Sequence, residues 1–178
     1  MKKLLTTFLA MTLAISAFAQ GSLLKPVLTI TETTIHGGPE KISVFDFPEE
    51  GQHQYFLDAG ILGIGDDVIQ VNVDPVFRLF VPLGNTLADA QDKLEEFIAM
   101  AKQPVGTEIE TTGTLALANP SMGEYETVYV TTRRGIFQRL VEFSIRRDTY
   151  TRGTYIVRSE LKALLTGMKI YSKIHPDE

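Results

Sequence analysis

The sequence predicts an α+β fold, in which an antiparallel β-meander packs against two amphipathic helices and an N-terminal β-hairpin precedes them. Two observations predict it. Apolar residues recur with helical spacing near residues 87–101 and 161–171, and they alternate with polar residues in four successive segments between 107 and 158. Short connections favour antiparallel neighbours, and an amphipathic helix has to cover one face of a sheet. We therefore expect one α+β domain over residues 20–178.

The first 19 residues have the three parts of a secretory signal peptide. Lys2 and Lys3 form a basic start, residues 4–15 are apolar, and Ala17-Phe18-Ala19 is the small-x-small pattern that precedes cleavage. This apolar stretch is shorter than the roughly 20 residues that cross a bilayer. We therefore expect cleavage before Gln20, export to the periplasm or medium, and a soluble chain without a stable membrane anchor.

The composition excludes several classes of protein. The chain has 178 residues, with 17 Lys and Arg, 22 Asp and Glu, and no Cys or Trp. Without Cys it has no disulfide framework and no thiolate nucleophile. The net charge of −5 becomes −7 if Lys2 and Lys3 are removed with the signal peptide, and this sign opposes nucleic-acid binding.

The first third of the predicted domain is rich in short strands. Two β-branched runs, 27–35 and 41–47, flank His36-Gly37-Gly38-Pro39 and predict the N-terminal hairpin. Further strands are expected at 55–58, 68–73 and 76–81. The Gly-rich stretch 60–67 is expected to be a surface loop or a strand bulge, because it lacks the Lys and the helix of a phosphate-binding loop.

Two helices and four strands complete the predicted fold. Thr86 and Asp89 form a capping box for the first helix, which Gln103-Pro104 should stop, and Ser159 should cap the second. The apolar stripes comprise Leu87, Ala90, Leu94, Phe97, Ile98 and Ala101 in the first helix, and Leu161, Leu164, Leu165, Met168 and Tyr171 in the second. The strands of the meander are expected at 107–118, 124–132, 136–147 and 154–158.

One face of the third meander strand should be buried and the other solvated. Val141, Phe143 and Ile145 alternate there with polar residues, which are Glu142, Ser144 and Arg146.

No motif assigns a catalytic residue, a metal site or a cofactor. The His36-Gly37-Gly38 segment resembles an oxyanion loop, but no serine has the Gly-x-Ser-x-Gly context that such hydrolases need. The acidic residues near the Gly-rich stretch lack the order of a calcium loop, and the histidines lack zinc spacing. These acidic residues and histidines are Asp58, Asp66, Asp67, Asp74, His36, His53 and His175.

Two groups of residues are candidates for binding a ligand or partner. Tyr125 and Tyr129 share one face of their strand with Thr127 and Thr131, and amphipathic tyrosine rings can stack on sugars or anchor a protein. Arg146, Arg147 and Arg152 flank one chain reversal and could hold an anion, or they could be a solvated hairpin end with Asp148 as the counter-ion.

The leading functional hypothesis is an exported, soluble binding or interaction domain without evident catalytic apparatus. Candidate partners are another exported protein or a small anionic ligand. The alternatives are an exported enzyme that uses dispersed carboxylates or histidines, and an inhibitor or structural partner of another exported protein. A pocket lined by two acids with shifted pKa values would favour the enzyme, whereas an exposed apolar patch would favour the partner.

Overall fold

The computed structural model describes residues 25–31, 41–47, 52–61, 63–64, 78–116, 120, 123–148 and 150–176. The fold is the predicted α+β class, an antiparallel sheet packed against two helices. In chain order the described elements are β1 (Lys25–Thr31), β2 (Lys41–Asp46), β3 (Tyr55–Ile61), β4 (Gly63–Ile64), β5 (Arg78–Gly84), α1 (Leu87–Met100), β6 (Glu108–Ala116), β7 (Tyr125–Arg134), β8 (Arg139–Arg147), β9 (Tyr150–Val157) and α2 (Arg158–Ile174). The expected signal peptide and the expected strand at 68–73 lie outside the described residues.

The described strands form one antiparallel sheet in the order β1-β2-β3-β5-β6-β7-β8-β9-β4. The strands β6 to β9 are successive neighbours, which confirms the predicted meander. The short strand β4 follows β3 after one residue, but it pairs with β9 at the far end of the sheet. The last strand in the sheet order is therefore almost continuous in sequence with the third, β3. β1 and β2 pair as the predicted N-terminal hairpin requires, and the turn 36–39 lies outside the described residues.

Helix α1 begins as predicted, at a capping box. The Thr86 hydroxyl accepts a hydrogen bond from the Asp89 N–H at 3.1 Å, and the Asp89 carboxylate accepts one from the Thr86 N–H at 3.2 Å. The helix ends at Met100, and its predicted apolar stripe is buried against the sheet. The buried residues of this stripe are Leu87, Ala90, Leu94, Phe97, Ile98 and Ala101.

Helix α2 begins two residues earlier than predicted. Strand β9 runs directly into it, so Val157, and not Ser159, is the N-cap. Val157 has no capping hydroxyl, and its N–H instead donates to the Glu160 carboxylate at 3.0 Å. The predicted stripe of this helix packs on the core, with Leu161, Leu164 and Met168 buried and Leu165 and Tyr171 partly buried. No helix among the described residues is both long enough and apolar enough to cross a membrane.

The sheet has a second apolar cluster on the side opposite the helices. Leu79 and Val81 of β5 join the helix-side core, so Phe80 between them points to the other face. Phe80 is 1% exposed, and it packs with Phe47, Phe56 and Ala116. The sheet therefore also has a buried apolar cluster around Phe80 on its far side.

The Gly-rich stretch contains strand residues, and the described part of it fits a bulge better than a loop. Gly60 and Ile61 complete β3, Gly63 and Ile64 form β4, and the β3–β5 register shifts between Asp58 and Ile61. Gly60 has φ 98°, a left-handed conformation that glycine adopts without strain. The Gly60 N–H donates to Asp58 at 3.0 Å and the Arg78 Nε donates to it at 2.7 Å, while burial raises the pKa of this carboxyl. The remainder, 62 and 65–67, lies outside the described residues.

The starts of two meander strands differ most from the prediction. The third meander strand starts at Arg139, so Ile136 and Phe137 belong to the turn that precedes it. The fourth starts at Tyr150, although residues 148–153 were expected to form a connection. Gly153 is paired within the sheet with Ser144 of β8 and Gly63 of β4, so the strand continues through it.

Candidate functional site

The predicted tyrosines lie on the face of the meander that points away from the helices. Val128 and Val130 of β7 are fully buried on the helix side, so the alternating residues Tyr125 and Tyr129 point outward. Tyr125 is 52% exposed and Tyr129 is half-buried. We call this surface the tyrosine face, and it consists of Glu108, Glu110, Thr112, Tyr125, Thr127, Tyr129 and Arg146.

Arg146 is held across the tyrosine face. It starts on β8, lies over Tyr129 with its guanidinium carbon 4.1 Å from the ring centroid, and reaches Glu108 on β6. Its Nη1 donates to Glu108 Oε1 at 3.0 Å, and its Nη2 pairs with the second carboxylate oxygen. Thr131 also donates to Glu108, at 2.7 Å. The hydrogen bond from Arg146 and then that from Thr131 lower the pKa of Glu108, and the same ion pair raises the pKa of Arg146.

The alternation in the third meander strand predicts that one side of β8 is solvated. Two of the polar residues on that outward side are nevertheless buried. Glu142 is 6% exposed and Ser144 is 1% exposed, although both point away from the helices. Glu142 accepts a hydrogen bond from Arg133 at 2.6 Å, and Ser144 lies opposite Tyr129 in the sheet. These two polar residues on the outward side of β8 are therefore shielded from solvent.

The three candidate arginines do not form one cluster. Arg147 has the strand parity of Ile145, so it lies on the helix side of β8, where it pairs with Glu126 at 2.7 Å. Arg146 lies on the opposite side, with Glu108 as its counter-ion. The backbone of Arg152 pairs with Ile145 of β8, and its side chain lies outside the described atoms.

Glu108→Gln is expected to lower the free energy of unfolding by less than about 1 kcal/mol at neutral pH, because the ion pair is largely at the surface. The pKa of Glu108 is lowered in the folded state. The stabilisation is therefore complete above the unfolded pKa and is lost as the pH falls through the folded pKa. Urea denaturation at neutral and acidic pH checks this. Glu110→Gln, on the same face, is the matched control, and a Glu108→Gln effect that persists in acid would contradict the assignment.

A second surface, which the sequence reasoning missed, is the turn between β7 and β8. Gly135 N–H donates to the Gln138 carbonyl at 2.9 Å, which leaves Ile136 and Phe137 as the two central residues of a tight hairpin loop. Ile136 is 93% exposed and Phe137 is 98% exposed. We call this loop the β7–β8 tip. The sequence contains a signal for this loop, because an apolar pair directly follows Arg133-Arg134-Gly135, but the sequence prediction places that pair in the strand 136–147.

A polar groove of about 410 Å³ lies at the base of the β7–β8 tip. Arg139 fixes its position, because this guanidinium donates to the carbonyl of Lys102 at 2.9 Å and to that of Gln103, just beyond the end of α1. Arg158, the first residue of α2, also lines the groove, and its buried Nε has no hydrogen-bond partner in the part of the chain that the structure describes. The lining residues are Ala101, Lys102, Gln138, Arg139 and Arg158.

Among the described residues, the enzyme alternative has its best candidate pair in Asp46 and His53. Asp46 is 1% exposed, and its Oδ2 lies 2.9 Å from the Nδ1 of His53. The imidazole is stacked against Tyr55, with ring centroids 6.0 Å apart. A buried carboxylate beside a half-exposed His can orient the ring, as the orienting acid does in general-base catalysis. Within the described ranges, no three His, Asp or Glu side chains are placed to hold a metal ion.

The function has to be inferred from these surfaces themselves. A scan against protein-family models matches none of them, and searches of curated proteins and of solved structures find no match.

Proposed function

We propose that the protein is an exported binding domain whose meander carries the ligand on the tyrosine face. The observation that carries the proposal is the fixed arrangement of Arg146 over Tyr129, beside the half-exposed ring of Tyr125. A side chain that is already immobilised loses little further entropy when a ligand binds, so this surface is prepared for contact. It lies on strands of the sheet, which hold side chains more firmly than loops do.

The chemistry of the tyrosine face favours a neutral ligand that is rich in hydroxyl groups. Arg146 already has a carboxylate partner in Glu108, so an anion would have to compete with that ion pair. Around it, the exposed side chains of Glu110, Thr112 and Thr127 can accept or donate hydrogen bonds to a ligand. Tyr125 adds an amphipathic ring on which an apolar sugar face can stack. The proposed ligand class is therefore an oligosaccharide.

Export is the second part of the proposal, and the N-terminal signal pattern supports it. We expect the exported form to begin at Gln20, because Ala17-Phe18-Ala19 precedes that residue. Intact-mass and N-terminal peptide mass spectrometry of protein recovered from the periplasm or medium would measure this. Exported protein that still carries Met1, or protein found only in the cytoplasm, would refute it.

Tyr125→Ala is expected to weaken oligosaccharide binding about tenfold, because it removes the exposed stacking ring. Isothermal titration calorimetry with a panel of neutral soluble oligosaccharides measures the change. Phe137→Ala is the matched control, since it removes an equally accessible aromatic ring from a different surface and should leave the affinity unchanged.

Two results would contradict this ligand assignment. One is that none of the oligosaccharides binds, and the other is that Tyr125→Ala and Phe137→Ala weaken binding equally. Binding of a ligand from another chemical class that requires an intact Tyr125 would preserve the tyrosine face as the binding surface and overturn the sugar class.

A further inference from the structure

The two central residues of the β7–β8 tip are not those that a tight turn selects. Two-residue hairpin loops favour Asn, Asp and Gly, whose backbones adopt the left-handed conformations that such turns use. Here the positions hold the β-branched Ile136 and the aromatic Phe137, and water surrounds both side chains. Residues that oppose local turn chemistry and bury no surface are explained when they make contact outside the chain.

The surroundings of the tip are cationic although the whole chain is acidic. Arg134 and Arg139 lie directly opposite each other on β7 and β8, an arrangement of like charges that destabilises a sheet. Neither Arg134 nor Lys102 forms an ion pair with a described residue, and Arg139 is bound by carbonyl groups. On a protein of net charge −5, this end is therefore a local positive surface.

The groove beside the tip adds a site for an anionic group. Arg158 occupies the first turn of α2, where the helix dipole disfavours a cation, and its buried Nε has no acceptor among the described residues. Lys102 and Arg139 line the same groove, and none of the described residues that line it is acidic. A phosphate group in the groove would lie among Lys102, Arg139 and Arg158 and balance their positive charge.

We propose that the β7–β8 tip and its basic groove bind the surface of an anionic phospholipid bilayer. Ile136 and Phe137 insert among the acyl chains, and the surrounding cations contact headgroup phosphates, with one phosphate in the groove. A protein partner would need a broad apolar patch to form a dry interface core, whereas cations surround this two-residue projection. A bilayer accommodates such a projection and supplies the opposite charge.

This surface is separate from the tyrosine face. Tyr125 and Arg134 lie at opposite ends of β7, about 30 Å apart at the usual strand rise of about 3.3 Å per residue. The inference therefore goes beyond the proposed function, and either one can fail without the other.

The absence of Trp from the chain allows a direct test with a single fluorophore. Phe137→Trp places the only indole at the tip, and Tyr125→Trp places it on the tyrosine face as the matched control. With vesicles of phosphatidylcholine and phosphatidylglycerol, the emission of the Phe137→Trp variant should shift to shorter wavelength and be quenched by brominated acyl chains. The emission of the Tyr125→Trp variant should stay unchanged, and vesicles of phosphatidylcholine alone should produce a much smaller change at the tip. Because the reporter is local, it identifies the contacting surface whatever the state of the N-terminus.

Vesicle co-sedimentation then separates the apolar contribution from the ionic one. Ile136→Ser combined with Phe137→Ser leaves the charge unchanged and should lower the partition coefficient at least about tenfold. Ile170→Ser combined with Ile174→Ser, at two exposed isoleucines of α2, is the control and should have no effect.

The charge variants measure the ionic contribution. Arg134→Gln and Lys102→Gln should each lower partitioning about fivefold. Arg158→Lys keeps the charge but removes the guanidinium donors, so it should weaken vesicle binding. Lys102→Arg also keeps the charge and should leave vesicle binding unchanged.

The proposal is overturned if the Phe137→Trp variant shows no spectral change with anionic vesicles. It is also overturned if the Ile136→Ser and Phe137→Ser double variant binds vesicles as the wild type does and only the charge variants bind more weakly. That result indicates adsorption by charge alone. Binding to soluble polyglutamate in preference to vesicles would assign the surface to an acidic protein instead. Circular dichroism and the Tm of every variant ensure that the comparison is made between folded proteins.

Discussion

Replacing Phe97 by alanine is expected to lower the free energy of unfolding by about 3 to 5 kcal/mol, and replacing Leu94 by about 2 to 5 kcal/mol. Both side chains are 0% exposed on the face of α1 that contacts the sheet. Phe97 also meets Phe143 of β8 edge to face, with ring centroids 5.1 Å apart. Truncation would therefore leave a cavity between helix and sheet and remove an aromatic pair.

Chemical denaturation of the two α1 variants measures the loss. Asp92→Ala is the control, because Asp92 lies exposed on the same helix and should change stability by no more than about 0.5 kcal/mol. Equal effects at the buried and exposed positions would mean that α1 does not pack on the sheet through this face.

Phe80→Ala should destabilise the protein by about 3 to 5 kcal/mol, although Phe80 points away from both helices. It is 1% exposed, and its ring meets that of Phe45 edge to face at 6.4 Å. Phe137→Ala serves as the control, because the same side chain is removed from a site that is 98% exposed, and its effect should stay within about 0.5 kcal/mol. Urea denaturation of both variants provides the comparison. A small loss for Phe80→Ala would show that the second cluster contributes little to stability.

The helices and the meander could be predicted because their signals are local. The Thr86 and Asp89 capping box lies within four residues of sequence, and the apolar stripes follow one helical period. The second cluster could not be predicted, because Phe80 follows Leu79 and precedes Val81, and a continuous apolar run does not show which side each residue faces. The predicted cap of α2 is wrong. Ser159 has a side chain that is preferred at an N-cap, but β9 runs directly into α2, so the helix begins earlier and Val157 is the N-cap.

Strand parity explains how much of the arrangement around the candidate binding residues could be predicted. Alternation correctly put Tyr125 and Tyr129 on one face. It could not show that Arg146 reaches Glu108 on a strand two positions away, because that contact depends on the register of three strands. The tip was missed because the sequence prediction places Ile136 and Phe137 as the first residues of the third meander strand, and their exposure is a tertiary property.

The pairing of β4 with β9 has a consequence for the order in which the sheet forms. It joins Gly63 to Gly153, and Thr154 donates to the carbonyl of Ala59 at 3.1 Å, so residues from distant parts of the chain must meet before this part of the sheet is complete. Contacts of such long sequence separation require loop closure before they contribute energy. The local hairpins of the meander can form early, whereas the β4–β9 ladder forms only after the intervening strands have paired. Substitutions along this ladder should therefore raise the unfolding rate more than they lower the folding rate.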